Sequence, residues 1–145
     1  MVAPTIGALT LAGYGTATTG ATHRVSARLD VAQEVPKLVV EAPGATGSFR
    51  GTYVEHARSA TLKWRLTYVH LTGIATAAHI HVGKPGVFGN VLVSLCATNC
   101  RSGLTGTAKI SLKLVAQMQA GKIYVNVHTT KNPNGEIRGQ VKVRR

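Results

Sequence analysis

Three histidines have a spacing that would allow them to bind one metal ion. His79 and His81 are separated by a single residue, and His128 lies in a second segment of alternating polar and apolar residues. On a β-strand, residues two apart share a face with Cα atoms ~7 Å apart, so the first two imidazoles can converge. For this pair alone, two hydrogen-bonded surface histidines are an equally good interpretation. The third imidazole favours a site for copper or zinc, provided that the two strands approach each other.

Three further residues are predicted to support this site. Glu136 and Arg138 follow a turn at 132–135, so their strand would run back beside that of His128 and place them on the same polar face. Asn126 lies on the strand of His128 and shares its face. We expect supporting or structural roles for all three, because a carboxylate can orient an imidazole.

The histidines require strands to position them, and the alternation of polar and apolar residues predicts such strands. Each segment has one apolar face, glycine and proline turns separate the segments, and only residues 114–120 have a short helical pattern. The predicted strands are 25–31, 47–54, 61–68, 78–83, 91–95, 105–112, 123–128 and 136–143. The sequence therefore predicts an all-β fold of one domain, an antiparallel Greek-key-like β-sandwich or a flattened barrel.

The first 22 residues differ in composition from the rest of the chain. They contain no charged residue and are small and moderately apolar, whereas strand-like alternation begins near His23. We interpret 1–22 as a signal peptide or export segment and 23–145 as the domain; a misassigned start codon would explain the missing basic residue. The segment is shorter than the ~20 apolar residues of a membrane span, and no later segment could span. We therefore expect a secreted protein, either extracellular, periplasmic or at the cell surface.

The two cysteines are expected to form a disulfide in an exported chain. Cys96 and Cys100 are separated by three residues, so the bond would fix a local turn. A metal site at these residues is the alternative, but there is no second cysteine pair and the spacing does not match common zinc sites.

The chain is strongly basic, with 17 Lys and Arg against 5 Asp and Glu and a formal net charge of +12. Anionic partners are therefore expected. The seven aromatic residues include few exposed candidates for base stacking, so specific binding of nucleic acid is not predicted. Anionic wall or matrix polymers fit better, and most of the basic residues are also consistent with ordinary solvated strand faces.

No constellation for hydrolytic catalysis is visible. The sequence has no clustered Asp and His beside a serine, its five carboxylates form no convincing catalytic pair, and Gly83, Gly86 and Gly89 follow a strand without opening a helix. An enzyme is not our prediction, although a redox activity of bound copper is left open.

Two long segments, AHIHVGKPGVFGNVLVSLC and YVNVHTTKNPNGEIRGQV, resemble the CHRD domain, a module named after chordin and found in secreted bacterial proteins. The resemblance runs from about residue 24 to 143 and includes LDVAQEVPK and GATGSFRG. It implies an extracytoplasmic β-sandwich and places His79, His81 and His128 at the motif histidines. Copper binding has been associated with some members of this family.

These observations lead to two hypotheses of different classes. The first is a secreted CHRD-domain protein that binds a transition metal, copper before zinc, through His79, His81 and His128. The alternative is a basic extracellular adhesion or matrix module that binds anionic polymers, with the histidines in structural roles.

Overall fold

A computed structural model describes residues 20–144 of the chain, so most of the predicted export segment lies outside the described residues. The strands are β1 (Thr22–Asp30), β2 (Thr46–Glu55), β3 (Ala60–Val69), β4 (Ala75–Val82), β5 (Val91–Cys96), β6 (Leu104–Ile110), β7 (Ile123–Thr129), β8 (Ile137–Gln140) and β9 (Lys142–Arg144). One helix, α1 (Leu112–Gln119), lies between β6 and β7, and a 3₁₀ turn at Val31–Gln33 follows β1.

All of these strands belong to one antiparallel sheet in the order β5-β4-β7-β8-β1-β2-β3-β6, with β9 also paired to β1. The end strands β5 and β6 border one groove, which Leu92 and Lys109 line, so the sheet curls into a nearly closed barrel. The connections β3–β4 and β6–β7 join strands that are not neighbours. The predicted all-β, single-domain fold is confirmed, in its barrel form.

The barrel interior is filled by alternate residues of the strands, because successive side chains of a strand point to opposite faces. On β3, for example, Leu62, Trp64 and Leu66 are buried, and Phe49 of β2 packs in the same core. Each buried side chain of this size contributes about 1.5–3 kcal/mol through removal of apolar surface from water.

Helix α1 begins earlier than the sequence pattern predicts. The predicted strand 105–112 ends at Ile110, because the hydroxyl of Ser111 accepts a hydrogen bond from the backbone N–H of Leu114 and starts the helix. Leu114, Val115 and Met118 are buried. Among residues 20–144, no helix is long and apolar enough to cross a membrane.

The predicted C-terminal strand 136–143 is divided into two strands. Val141 lies between β8 and β9, is buried, and donates its backbone N–H to the carbonyl of Ile123. As a result β8 pairs with β7, whereas β9 pairs with β1.

Strands β7 and β8 are buried on their polar faces as well as on their apolar faces. Tyr124, Asn126 and Arg138 are only 1%, 2% and 1% exposed. The loop formed by residues 83–90, here called the cover loop, lies over them. It is held there by Arg138, which donates to the carbonyls of Lys84 and Val87.

Candidate metal centre

Strands β4 and β7 bring the three histidines together on the face that points away from the barrel core. In the register of these strands, His79 lies opposite Asn126, and His128 lies opposite Ala77, two residues before His79 on β4. The Nδ1 atom of His79 is 3.1 Å from Nε2 of His128. One ligand atom from each of the three histidines lies within 4.8 Å of the others, so the three could hold a metal ion.

Two backbone carbonyls fix the tautomers of His81 and His128. Nδ1 of His81 is 2.9 Å from the carbonyl oxygen of Gly89, and Nδ1 of His128 is 2.8 Å from that of Pro133. Because a carbonyl oxygen can only accept, each Nδ1 carries the proton and each Nε2 carries a lone pair. Both rings are therefore held in the tautomer that offers Nε2 as a ligand.

The Nε2 atom of His81 is buried and has no hydrogen-bond partner within the described part of the chain. A buried acceptor without a partner costs about 1–3 kcal/mol. His79 Nδ1 donates to Nε2 of His128, since that atom is an acceptor. Moving this proton to Nε2 of His79 would leave three lone pairs close together, and nitrogen atoms that share one zinc ion are about 3.4 Å apart.

The environment keeps all three imidazoles neutral at pH 7. Burial lowers the pKa of His79 to about 4, with further lowering from His128 and His81. Burial also lowers the pKa of His81 against the opposing hydrogen bond to Gly89, and lowers that of His128 against the hydrogen bond to Pro133. Neutral imidazole is the form that binds metal, so the site needs no prior deprotonation near neutral pH.

The model of the CHRD domain family matches residues 25–141, a range that includes all three histidines and both carbonyl groups. This chain belongs to the CHRD domain family. No curated protein and no solved structure matches the chain.

The structure places two of the three predicted supporting residues of this CHRD domain beside the histidines. Asn126 lies opposite His79, and its Oδ1 is buried with no hydrogen-bond partner among residues 20–144. The guanidinium of Arg138 lies 3.5 Å from the ring centre of Tyr124, and that ring stacks on His81 at 4.7 Å. Arg138 therefore contacts the ring that stacks on His81, and its supporting role stays a prediction.

Glu136 is not brought to the imidazoles. Its carboxylate accepts hydrogen bonds from the backbone and hydroxyl of Thr72, from the hydroxyl of Thr129 and from the amide of Asn132. Burial raises the pKa of Glu136, but these hydrogen bonds outweigh it and lower the pKa. The ionised side chain anchors the turn after β7, which contains Pro133, and its influence on His128 passes through that turn.

Sequence reasoning missed Tyr124 and the two carbonyl groups. The alternation of β7 places Tyr124 on the face of His128, but only the register of β4 and β7 sets it opposite His81. Main-chain carbonyls leave no signal in a sequence.

Sequence reasoning also missed the buried carboxyl group of Glu34. This side chain is 5% exposed, its Oε1 has no hydrogen-bond partner within the described residues, and it lies near the charge of Arg138.

The two cysteines lie next to β4, the strand that carries His79 and His81. The sulfur atoms of Cys96 and Cys100 are at disulfide-bonding distance, as the sequence predicts. Cys96 ends β5 and pairs with Ala78, the residue before His79. The disulfide therefore fixes the end of the strand that borders β4.

Proposed function

We propose that this CHRD domain binds one transition-metal ion, copper before zinc, through His79, His81 and His128. The observation that carries the proposal is the buried lone pair of His81 Nε2, which has no hydrogen-bond partner in the part of the chain that the structure describes. Copper is favoured because divalent copper binds nitrogen ligands more tightly than zinc does.

Binding is favoured over catalysis because the polar side chains near the histidines are engaged in hydrogen bonds to the cover loop. Arg138 donates to two carbonyls of the cover loop, and the Tyr124 hydroxyl lies within hydrogen-bond distance of both the backbone N–H and the carbonyl of Gly89. These groups hold the loop in place.

Three protein nitrogens leave a coordination position for water or another ligand, and a bound copper ion would supply redox chemistry there.

The test is titration of the untagged chain with Cu²⁺ and Zn²⁺ at pH 7.5, followed by metal analysis after dialysis. We expect one copper ion per chain, and an affinity at least ~100-fold lower in His81→Gln, since removal of a ligand exceeds the 10–100-fold effect of removing a residue that only orients one. The matched control is His70→Asn, because His70 is exposed at φ 58° and asparagine tolerates this backbone conformation.

Two outcomes would contradict the proposal. One is less than one copper ion per chain after full loading. The other is unchanged affinity in a variant with all three histidines replaced by glutamine.

Export to an extracytoplasmic location is the second part of the proposal. The Cys96–Cys100 disulfide supports it, because disulfides persist in oxidising compartments and are rare in the cytosol. The apolar composition of residues 1–22 supports it independently.

A further inference from the structure

The outer surface of β1, β2, β3 and β9 carries a dense group of positive charges. Alternate residues of these strands face the core, as Val25, Phe49 and Trp64 do, so the residues between them point outward. Seven exposed basic side chains result, and we call them the basic face: Arg24, Arg28, Arg50, Lys63, Arg65, Lys142 and Arg144.

The strand register places like charges directly opposite one another. Arg24 pairs with Arg144 across β1 and β9, and Arg50 pairs with Arg65 across β2 and β3. Opposite residues of neighbouring strands are about 5 Å apart, and like charges in such pairs destabilise a sheet. The arrangement therefore has a cost in folding stability that the fold itself does not require.

Hydroxyl side chains fill the spaces between the cations. Ser26 lies opposite Arg50, and Thr52 lies between Arg24 and Lys63. One shallow groove runs along Arg24, Arg28, Arg50 and Arg144, and an adjoining groove is lined by Arg50, Arg65, Ser48 and Thr67. The surface thus offers charged and neutral hydrogen-bond donors in alternation along these two grooves.

Carboxylates do not neutralise this surface. Glu34 and Glu136 are buried, Asp30 accepts hydrogen bonds from Gln33, and Glu55 lies 4.0 Å from His23. Among residues 20–144, no Lys or Arg side chain lies within 4.0 Å of a carboxylate, because the one such contact involves His23, which is charged only when protonated. The positive charge is therefore available to an external anion.

The extent of the basic face favours a polymer over a small anion. Arg24 and Arg28 are four residues apart on one strand, a span of about 13 Å, and β9 to β3 covers three strand spacings, about 14 Å. A single sulfate or phosphate would contact only a small part of such a patch.

From this arrangement we infer that the basic face binds an anionic polysaccharide. Single-stranded nucleic acids are bound through exposed aromatic rings, whereas Phe49, Tyr53 and Trp64 on these strands face the core. Duplex recognition places a helix or ribbon in a groove, and this face is a sheet surface with short side chains between the cations. Sulfate or carboxylate groups would pair with the arginines, and sugar hydroxyls with the serines and threonines.

This inference is independent of the metal site. The histidines lie on β4 and β7, and none of the seven basic residues belongs to those strands. A chain without His79, His81 and His128 should therefore keep its polysaccharide binding.

The experiment measures binding at 0.15 M salt to a heparin oligosaccharide, to polygalacturonate, and to single- and double-stranded DNA of similar length. The two polysaccharides distinguish sulfate from carboxylate recognition. In Arg50→Gln/Arg65→Gln, the affinity for the preferred polysaccharide should fall at least ~10-fold. The salt dependence should also become shallower, because a face with fewer cations displaces fewer counterions from the polymer.

The matched control is Lys113→Gln/Lys122→Gln, which removes two exposed charges from a different surface. We expect a change of less than ~2-fold in the control, since salt screens charges that lie away from the bound polymer. Circular dichroism verifies folding of both variants.

Three outcomes would overturn the inference. Equal losses of affinity in the two double variants would show attraction by net charge alone. Tighter binding of either DNA than of both polysaccharides would identify a nucleic-acid surface, and the absence of polysaccharide binding at 0.15 M salt would exclude a recognition face.

Discussion

At the scale of single residues, the candidate site depends on which nitrogen of each imidazole carries the proton. Gly89 and Pro133 decide this for His81 and His128 through their carbonyl groups. A side chain at position 89 would change this arrangement, because a Cβ atom there would collide with the carbonyl of Val82.

Gly89→Ala should therefore weaken metal binding about 10–100-fold while all three ligands remain, as expected when a group that orients a ligand is displaced. Competition with a chromophoric chelator measures this. Gly86→Asn is the control in the same loop, since Gly86 has φ 75° and open space around it. Equal affinities in the two variants would show that the carbonyl is not needed.

The buried carboxyl group of Glu34 should make the free energy of unfolding depend on pH. Burial raises its pKa to about 8 from 4.5, against the opposing effects of the Val35 N–H and Arg138. Between these values the folded chain binds the proton and the unfolded chain does not, so stability falls as pH rises, by at most about 1.4 kcal/mol per pH unit.

Glu34→Gln should remove this decline, so its stability gain over the parent chain should grow from pH 4.5 to pH 8. Urea denaturation at several pH values measures the difference. Glu41→Gln, at an exposed position, is the control. A gain in Glu34→Gln that does not vary with pH would contradict the assignment.

The pair His79 and His81 is predictable from the sequence because strand geometry alone puts both residues on one face, whereas the approach of His128 depends on the pairing of β4 with β7. The role of Glu136 is not predictable in the same way. Its position beside the strand of His128 follows from the turn, but its hydrogen bonds to Thr72 depend on a loop 64 residues away in sequence.

At the scale of elements, the cover loop determines whether the face of β7 meets water. Arg138 donates two of the hydrogen bonds that attach it, to the carbonyls of Lys84 and Val87. Further hydrogen bonds to the loop come from His81, Tyr124 and Gln140. The backbone N–H groups of Val87 and Gly89 are themselves hydrogen-bonded, to the Lys84 carbonyl and to the Tyr124 hydroxyl.

Arg138→Met should loosen this loop, because it removes both hydrogen bonds from Arg138 while keeping most of the side-chain volume. Hydrogen exchange of the Val87 and Gly89 amides should become faster, and exchange in β2 and β3 should stay unchanged. Arg58→Met, in an exposed turn, is the control. Uniformly faster exchange in all strands would show a global loss of stability instead.

Loss of the Arg50–Arg65 pair should weaken polysaccharide binding but increase the stability of the fold. Arg65→Thr removes a like-charge pair and adds a residue that favours strands, so it should stabilise the chain by about 0.2–1 kcal/mol. Lys63→Thr on the same strand is the control, because Lys63 lies opposite Thr52 and Thr107. Equal urea midpoints for the two variants would contradict the repulsion.

Strand pattern alone cannot distinguish the polar face of β3 from that of β7. Both alternate polar and apolar residues, but Lys63 and Arg65 are exposed, whereas Tyr124 and Asn126 are buried. The difference comes from the cover loop, which follows β4.

The sequence pattern also extends β6 two residues too far. The apolar Leu112 continues the alternation, although the preceding serine already caps the helix.

At the scale of the whole molecule, the choice between sandwich and barrel depends on long-range strand pairing. The pairing of β8 with β1 connects the two halves of the sheet through a single residue pair, Asp30 and Arg138. Local alternation predicts the strands and their antiparallel turns, but it contains no information on such a distant pairing.

The export proposal makes a prediction for the mature chain. Its intact mass should correspond to an N-terminus between Ala17 and His23, with two hydrogens fewer than the reduced chain, because export removes the leader and permits the disulfide. Reduction before a second measurement is the control. A cytoplasmic product that retains Met1 and two thiols would contradict the proposal.

The hydrogen bond from His81 to the carbonyl of Gly89 has a consequence for how this domain can evolve. A main-chain carbonyl is the same for every amino acid, so exposed loop positions such as Lys84, Pro85 and Val87 can drift in sequence without altering the imidazole tautomer. Loop length cannot drift in this way, because deletion of one residue would displace the carbonyl. Natural variants should therefore accumulate substitutions in this segment and be purged of insertions and deletions.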